Sequence, residues 1–213
     1  MARTVREELK ARKQAYVQEE ILNSAERLFA ERGIRAVSID DIANNLGYTK
    51  SVVYYYFKNK NQLLWEIFER IHVAWDGQME ELYNRADLDP ADKLAAMVRQ
   101  YGINVLQNRA WTTIYFRDEG ELDQEQQKVL YEWKKHFDDI LRNVYLEGVE
   151  KGVFKAMHPY VVVGGIIGAC NFLRVWFRDT GKMTIEEVSD ANVALLLGGL
   201  LVGRPRKSAR AGA

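Results

Sequence analysis

The chain has a single cysteine, Cys170, so it can form no internal disulfide, and the disulfide-dense secreted scaffolds are excluded. It has only three prolines in 213 residues. Because proline costs about 3 kcal/mol inside a helix, their scarcity leaves long helices uninterrupted. With helix formers abundant, an all-α chain follows. Histidines are equally few, and neither His136 nor His158 has a cysteine or histidine at zinc spacing. Glu69 and His72 make one Glu-x-x-His pair, where a di-iron bundle needs two such pairs and two further glutamates. No glycine-rich phosphate loop follows a strand, and there is no nucleophile elbow. The chain is therefore expected to be no enzyme and to need no cofactor or metal. No charged-then-apolar leader opens the sequence. The apolar run Tyr160 to Phe177 approaches membrane-span length, but it contains Asn171 and Arg174, and an intramembrane arginine costs about 2.5 kcal/mol or more. A buried helix of a cytoplasmic protein is the better reading.

Net charge is also absent, yet the zero hides a sorting by region. Residues 1–60 carry 11 Lys/Arg against 8 Asp/Glu, residues 61–203 carry 15 against 22, and residues 204–213 carry 4 against none. A basic head on an acidic body suits a module that touches nucleic acid at one end.

That head contains the most informative stretch, SIDDIANNLGYTKSVVYYYFKNKNQLL, from Ser38. Ser38 caps a short helix and pairs with Asp41 in a capping box. Ile39, Ile42, Ala43 and Leu46 supply its inward face. Gly47 ends it, and Thr49 caps a second helix through Phe57. The unit reads as a helix-turn-helix whose second helix can lie in the major groove. Between Asp41 and Glu66 there is no acid, while Lys50, Lys58 and Lys60 are present. Thr49, Lys50, Ser51 and Val52 form the turn that a recognition helix points at base edges. Tyr54, Tyr55 and Tyr56 cannot share a face. A helical hairpin with merely solvated lysines is the plain alternative.

Residues Glu20 to Leu64 resemble the DNA-binding domain of the TetR family of bacterial transcriptional regulators. The resemblance rests on Ala25, Leu28-Phe29, Gly33, Ile42-Ala43, Leu46-Gly47, the Tyr54 to Phe57 block, and Lys60 before Leu63-Leu64. It implies DNA contacts from Ser38, Thr49, Lys50, Ser51, Val52, Tyr54, Tyr56 and Lys60, with Tyr55 as the buried tyrosine. The expected organisation is a basic arm over 1–15, a helix-turn-helix domain over 16–60, a helical effector-binding and dimerisation domain over 61–203, and a basic tail over 204–213. The arm, with Arg3, Arg6, Lys10, Arg12 and Lys13, either reaches an adjacent minor groove or is a solvated extension of the first helix. The tail holds Gly203-Arg204-Pro205, like the core of an AT-hook, but a solvated tail is preferred.

In the body, helices are expected from about Asn59–Asn61 to Asn84, over Ala91–Asn108, Trp111–Phe116 and Asp123–Lys151, from Pro159 to about Thr180, and from Thr184 to about Leu201. Val129, Trp133, Phe137, Ile140, Leu141, Val144 and Val149 mark the buried side of the Asp123–Lys151 helix. The final helix is apolar around much of its circumference, so it is either fully internal or covered by a second subunit. The family resemblance implies a homodimer through the last two helices, reading a pseudo-palindromic operator.

The segment Gly168 to Gly181 is also similar to a motif in TetR-family repressors that sense acyl-CoA thioesters, and Tyr115 with Asp118-Glu119 is similar to the same subgroup. Asn171, Arg174 and Arg178 would form a polar stripe at i, i+3 and i+7, suited to phosphate. The implied effector site comprises Gly168, Asn171, Arg174, Trp176 and Arg178, walled by Trp111, Phe116, Trp133 and Phe137. Alternatively the arginines pair with Asp118, Asp138 or Asp139. The expected function is a ligand-released repressor responding to an acyl-CoA. The alternatives are a multidrug-type regulator sensing hydrophobic cations or aromatics and, more remotely, a helical enzyme.

Overall fold

The structure, a computed structural model, describes residues 5–203. The basic tail from Arg204 and the arm residue Arg3 lie outside the described residues. Helices account for the regular structure: α1 (Val5–Arg32), α2 (Ile39–Asn45), α3 (Lys50–Tyr56), α4 (Lys60–Tyr83), α5 (Pro90–Gln107), α6 (Arg109–Asp118), α7 (Gln124–Glu150), α8 (Pro159–Trp176) and α9 (Ile185–Leu200). The chain forms two compact units, one of Met1–Ala74 with Asn108–Trp133 and one of Trp75–Gln107 with Lys134–Ala213. By contacts, then, the unit holding the helix-turn-helix runs past residue 60 and takes in α6 and the start of α7.

In the first unit α1 packs on α2 and α6. Ile21, Ala25 and Phe29 of α1 are fully buried, with Ile42, Val53, Phe57, Leu63, Leu64, Ile67 and Phe68. Gly33, at φ +82°, turns the chain out of α1. The turn is held by Arg117 of α6, whose guanidinium donates to the carbonyls of Phe29 and Ala30 and pairs with the buried Asp118 carboxylate. The hydrogen bond to Asp118 raises the Arg117 pKa, and the orphan carbonyls at the end of α1 are satisfied. Arg70 of α4 reaches three acceptors on α1, Glu19, Asn23 and Glu26. The arm itself departs from one of its two readings: residues 5–15 are helical and continue α1 without a break.

The second unit centres on α5, which packs along α8 and α9. Gly102 permits the approach of α9, since a Cβ there would lie 3.1 Å from Ser189 Oγ. Leu94, Met97, Val98, Tyr101, Val105, Ile140, Leu141, Val144, Tyr145 and Phe154 fill the core. After Gly152 (φ +69°) the chain pairs with the end of α9 through an antiparallel bridge, Phe154 with Leu201. Gly148 accommodates Phe154, whose ring carbon would lie 2.2 Å from an added Cβ. Gly148→Ala is therefore expected to destabilise by about 1–3 kcal/mol in urea unfolding, the usual range for overpacking.

Two expectations for these helices are corrected. Val129 is 40% exposed and Leu130 takes the buried position. α8 ends at Trp176 rather than near Thr180, because Phe177 turns extended (ψ 142°) and buries its ring with Leu106, Leu173 and Val188. By length and composition α8 would suffice to cross a membrane. Here one side of it, Val162, Val163, Ile166, Cys170 and Leu173, is buried within the unit, while Tyr160, Val161, Gly164, Gly165, Gly168, Phe172, Val175 and Trp176 are exposed.

Candidate nucleic-acid interface and effector region

The helix-turn-helix is built from local rules. Ser38 Oγ accepts from the Asp41 backbone N–H at 3.1 Å, and the Asp41 carboxylate accepts from Ser38 N–H at 2.8 Å, closing the capping box. The Ser38 hydroxyl, which donates to the Asp41 carboxylate, and then the Ser38 N–H hold that carboxyl below its ordinary pKa. Gly47 takes φ +69° at the turn, as no side chain would without strain. Asn45 binds Ser24 and Arg27, fastening α2 to α1. Thr49 occupies the N-cap of α3 with extended backbone, but its hydroxyl makes no capping bond.

α3 is anchored by Val53 and Phe57, both fully buried. Their i, i+4 spacing assigns the inward face and corrects the expectation for the tyrosines. Tyr55 is the most exposed of the three at 69%, and Tyr54 follows at 47%; Tyr56 is half-buried beside the anchor. Tyr55 accepts a hydrogen bond from Gln14 of α1 at 3.2 Å. Thr49, Lys50, Ser51 and Ser38 are exposed, and Val52 is half-buried.

Two lysines are less free than the sequence suggested. Lys50 Nζ lies 2.7 Å from Asp40 of α2 and 6.0 Å from the Tyr54 ring centre. The hydrogen bond to Asp40, and then its charge, raise the Lys50 pKa. The acid-free interval from Asp41 to Glu66 thus does not isolate Lys50 from acids, because Asp40 arrives from the neighbouring helix. Asp40→Asn should raise affinity for duplex DNA by about two- to five-fold, as expected for an exposed ion pair. Unchanged binding in fluorescence anisotropy would show that the pair does not compete with DNA.

Lys60 donates to the carbonyls of Ile34 at 2.5 Å and Val37 at 2.8 Å, bracing the 3-10 turn (Ile34–Ala36) that leads into α2. Its ammonium is half-buried and already engaged. Lys60→Ala is accordingly expected to cost about 1.5–3 kcal/mol of stability, the worth of hydrogen bonds to a charged group. The salt dependence of DNA binding should hardly change, which separates bracing from phosphate contact.

The residues expected around an effector fall into both compact units. In the first, Trp111 is 3% exposed and its indole donates to Ile67 O at 3.1 Å. Trp133 is stacked on both Trp65 (5.0 Å) and His72 (3.9 Å), so it packs against α4. Phe116 is 39% exposed and edge-on to Tyr115. In the second unit, Asn171 of α8 accepts a 2.7 Å hydrogen bond from the buried Tyr101 hydroxyl. Tyr101 meets Trp75 edge-on at 6.0 Å and Phe137 at 4.8 Å. Burial, and then Cys170, push the Tyr101 pKa up, so it stays a neutral donor. Burial likewise raises the Cys170 thiol to about 12, which makes it inert.

The polar stripe on α8 is shorter than expected. Asn171 and Arg174 lie on the helix and are half-buried. Arg178 lies beyond its end, exposed, with its guanidinium on the carbonyls of Val175 and Phe177. Asp139 pairs with Arg142, and burial followed by Asp139 raises the Asp138 carboxyl. Gly168 and Trp176 are exposed. Sequence reasoning missed Tyr101 and an amide network in which Asn104, 3% exposed, donates to Gln78 at 2.7 Å and accepts from Gln100 at 2.9 Å. Asn104 within the apolar run Gly-Ile-Asn-Val-Leu was the available signal. Among the described residues no group of three or more His, Cys, Asp or Glu could hold a metal ion.

A capped helix-turn-helix with an exposed recognition turn, joined to a helical body, defines a DNA-binding regulatory protein. Residues 21–67 match the family model of bacterial regulatory proteins of the tetR family, and residues 87–200 match that of the tetracyclin repressor-like C-terminal domain. The chain belongs to the TetR family. It is 26% identical over 199 residues to the HTH-type transcriptional repressor KstR2 of Mycolicibacterium smegmatis, covering 90% of this chain and 94% of that one. The fold is shared with the ketosteroid transcriptional regulator KstR2 of Mycobacterium tuberculosis, at TM-score 0.82 and 22% identity, covering 87% and 95% of the two chains. It is shared also with AibR in complex with isovaleryl coenzyme A and operator DNA, at TM-score 0.77 and 24% identity, covering 84% and 97%.

Proposed function

We propose that the chain is a homodimeric repressor that binds a pseudo-palindromic operator and is released by an acyl-CoA thioester. The observation that carries the DNA reading is the anchored α3, with Val53 and Phe57 inward and Thr49, Lys50, Ser51 and Tyr54 outward. Ser38 and Thr49 supply hydroxyls to phosphates, Lys50 and Ser51 face base edges, and Val52 and Tyr56 flank them. Lys60 serves by holding the turn before α2 in place. Residues 16–60 act as the DNA-reading head and 61–203 as the effector-binding and dimerising body, working in the cytoplasm.

Dimerisation is supported by a two-helix apolar face. Tyr160, Val161, Phe172, Val175 and Trp176 of α8 are exposed alongside Ala191, Ala194, Leu195 and Gly198 of α9. Small residues on both helices permit close approach, and two copies would form a four-helix interface. Two α3 helices about 34 Å apart then read one face of the operator.

The effector reading is supported by a buried polar pair, Tyr101 with Asn171, among Trp75 and Phe137, and by the nearby Arg174 on the same helix. An acyl-CoA offers both an apolar chain and phosphates for such a mixture, and the AibR fold carries isovaleryl coenzyme A. Trp111, Phe116 and Trp133 would respond through their packing, Gly168 and Trp176 through the surface of α8, and Arg178 from its position past the helix end. The ligand must favour one state over the other, with coupling of about 1–3 kcal/mol. Titrating the DNA-bound dimer with acyl-CoAs from isovaleryl to steroid-chain thioesters should release DNA about 5- to 150-fold more readily with the right one. Release by hydrophobic cations alone, with no thioester acting, would favour a multidrug-type sensor.

A further inference from the structure

The family match begins at residue 21, yet α1 begins at Val5. Roughly 24 Å of helix therefore precedes the family's own core, at 1.5 Å per residue. This extension has a sided charge pattern. At about 100° per residue, Arg6, Lys10 and Lys13 fall within an arc of about 60°, while Glu8 lies on the far side and Glu7 at the margin. All three basic side chains are exposed. Gln14 is the next residue round from this arc, and its amide donates to Tyr55 on α3 at 3.2 Å. The carboxyl-terminal end of the basic stripe thus adjoins a residue that is hydrogen-bonded to the recognition helix. By contrast Lys60 is spent on two backbone carbonyls and Lys50 is paired with Asp40.

We infer that the amino-terminal extension of α1 is a second DNA-binding element: Arg6, Lys10 and Lys13 bind backbone phosphates beside the half-site read by α3. The inference rests on the DNA reading of α3 and adds to it the source of the sequence-independent attraction. Three flexible cations on one helix face match the repeating charge of a phosphate backbone, while no groove-reading geometry is needed. Gln14 and Tyr55 act as the positioning pair that keeps the extension alongside.

The test uses the full chain and a fluorescein-labelled 40-base-pair duplex of random sequence, titrated between 50 and 200 mM NaCl. The triple variant Arg6→Ala, Lys10→Ala, Lys13→Ala should flatten the slope of log K against log salt by up to about 2.7 per protomer, since each phosphate contact contributes about 0.9. Gln14→Ala leaves the charge intact and should lose a smaller part of the affinity. Circular dichroism melts of the triple variant should be unchanged, because its three substituted side chains are exposed. A triple variant with the wild-type slope overturns the inference. Lys50→Ala and Ser51→Ala, measured in parallel on operator and random DNA, report on α3 alone. If they leave sequence preference intact, the α3 reading fails while the slope still decides the extension. No binding of duplex by the wild type overturns both.

Discussion

Leu195→Arg is expected to convert the proposed dimer to a folded monomer. Leu195 is 75% exposed on α9, in the middle of an apolar face that includes Ala191, Ala194 and Gly198. In a two-fold interface an arginine there meets the partner's equivalent surface, so each dimer would bury two unpaired cations. Leaving one buried charge without a partner costs about 3–5 kcal/mol, enough to dominate a two-helix contact. The monomer should remain folded because nothing within its own core changes. Operator affinity should nevertheless fall by about 10²–10⁴, the gain that linking two heads provides. Sedimentation at micromolar concentration and operator anisotropy measure the two effects. A persistent dimer would locate the interface elsewhere.

Phe57→Ala should remove the DNA-binding head while sparing the body. Phe57 is fully buried at the C-terminal end of α3, where it and Val53 hold the helix against the first unit's core. Truncating a buried phenylalanine costs about 3–5 kcal/mol, through lost transfer energy and the cavity left behind. α3 is a seven-residue helix, too short to persist without tertiary packing. Duplex binding should be lost, with reduced amide protection over residues 38–57 in hydrogen exchange. Core residues of the second unit, such as Tyr145 and Met97, should keep their protection. Uniform loss of protection over both units would show that they unfold as one.

What could be read in advance and what could not divide along a physical line. The capping box at Ser38–Asp41, the turn at Gly47 and the start of α8 at Pro159 were all legible. Each depends on residues within four positions of one another. The tyrosine trio was misjudged because three consecutive aromatics carry no internal sign of which faces inward. Val53 and Phe57 decide that, and their role exists only once the folded unit buries them. The reach of Lys60 to Ile34 and Val37, and of Lys50 to Asp40, spans gaps that charge counting along the chain ignores. Phe177 ended α8 early as its ring joined the buried cluster of Leu106, Leu173 and Val188, with Leu106 distant in sequence.

Local chemistry therefore determined the helix-turn-helix, its caps and its membership of a DNA-binding family, since backbone groups must be satisfied by neighbours wherever the chain goes. Tertiary structure alone decided which cations are free. Charge is spent where opposite charge or carbonyls converge in space, so Lys50 and Lys60 are occupied while Arg6, Lys10 and Lys13 stand exposed on α1.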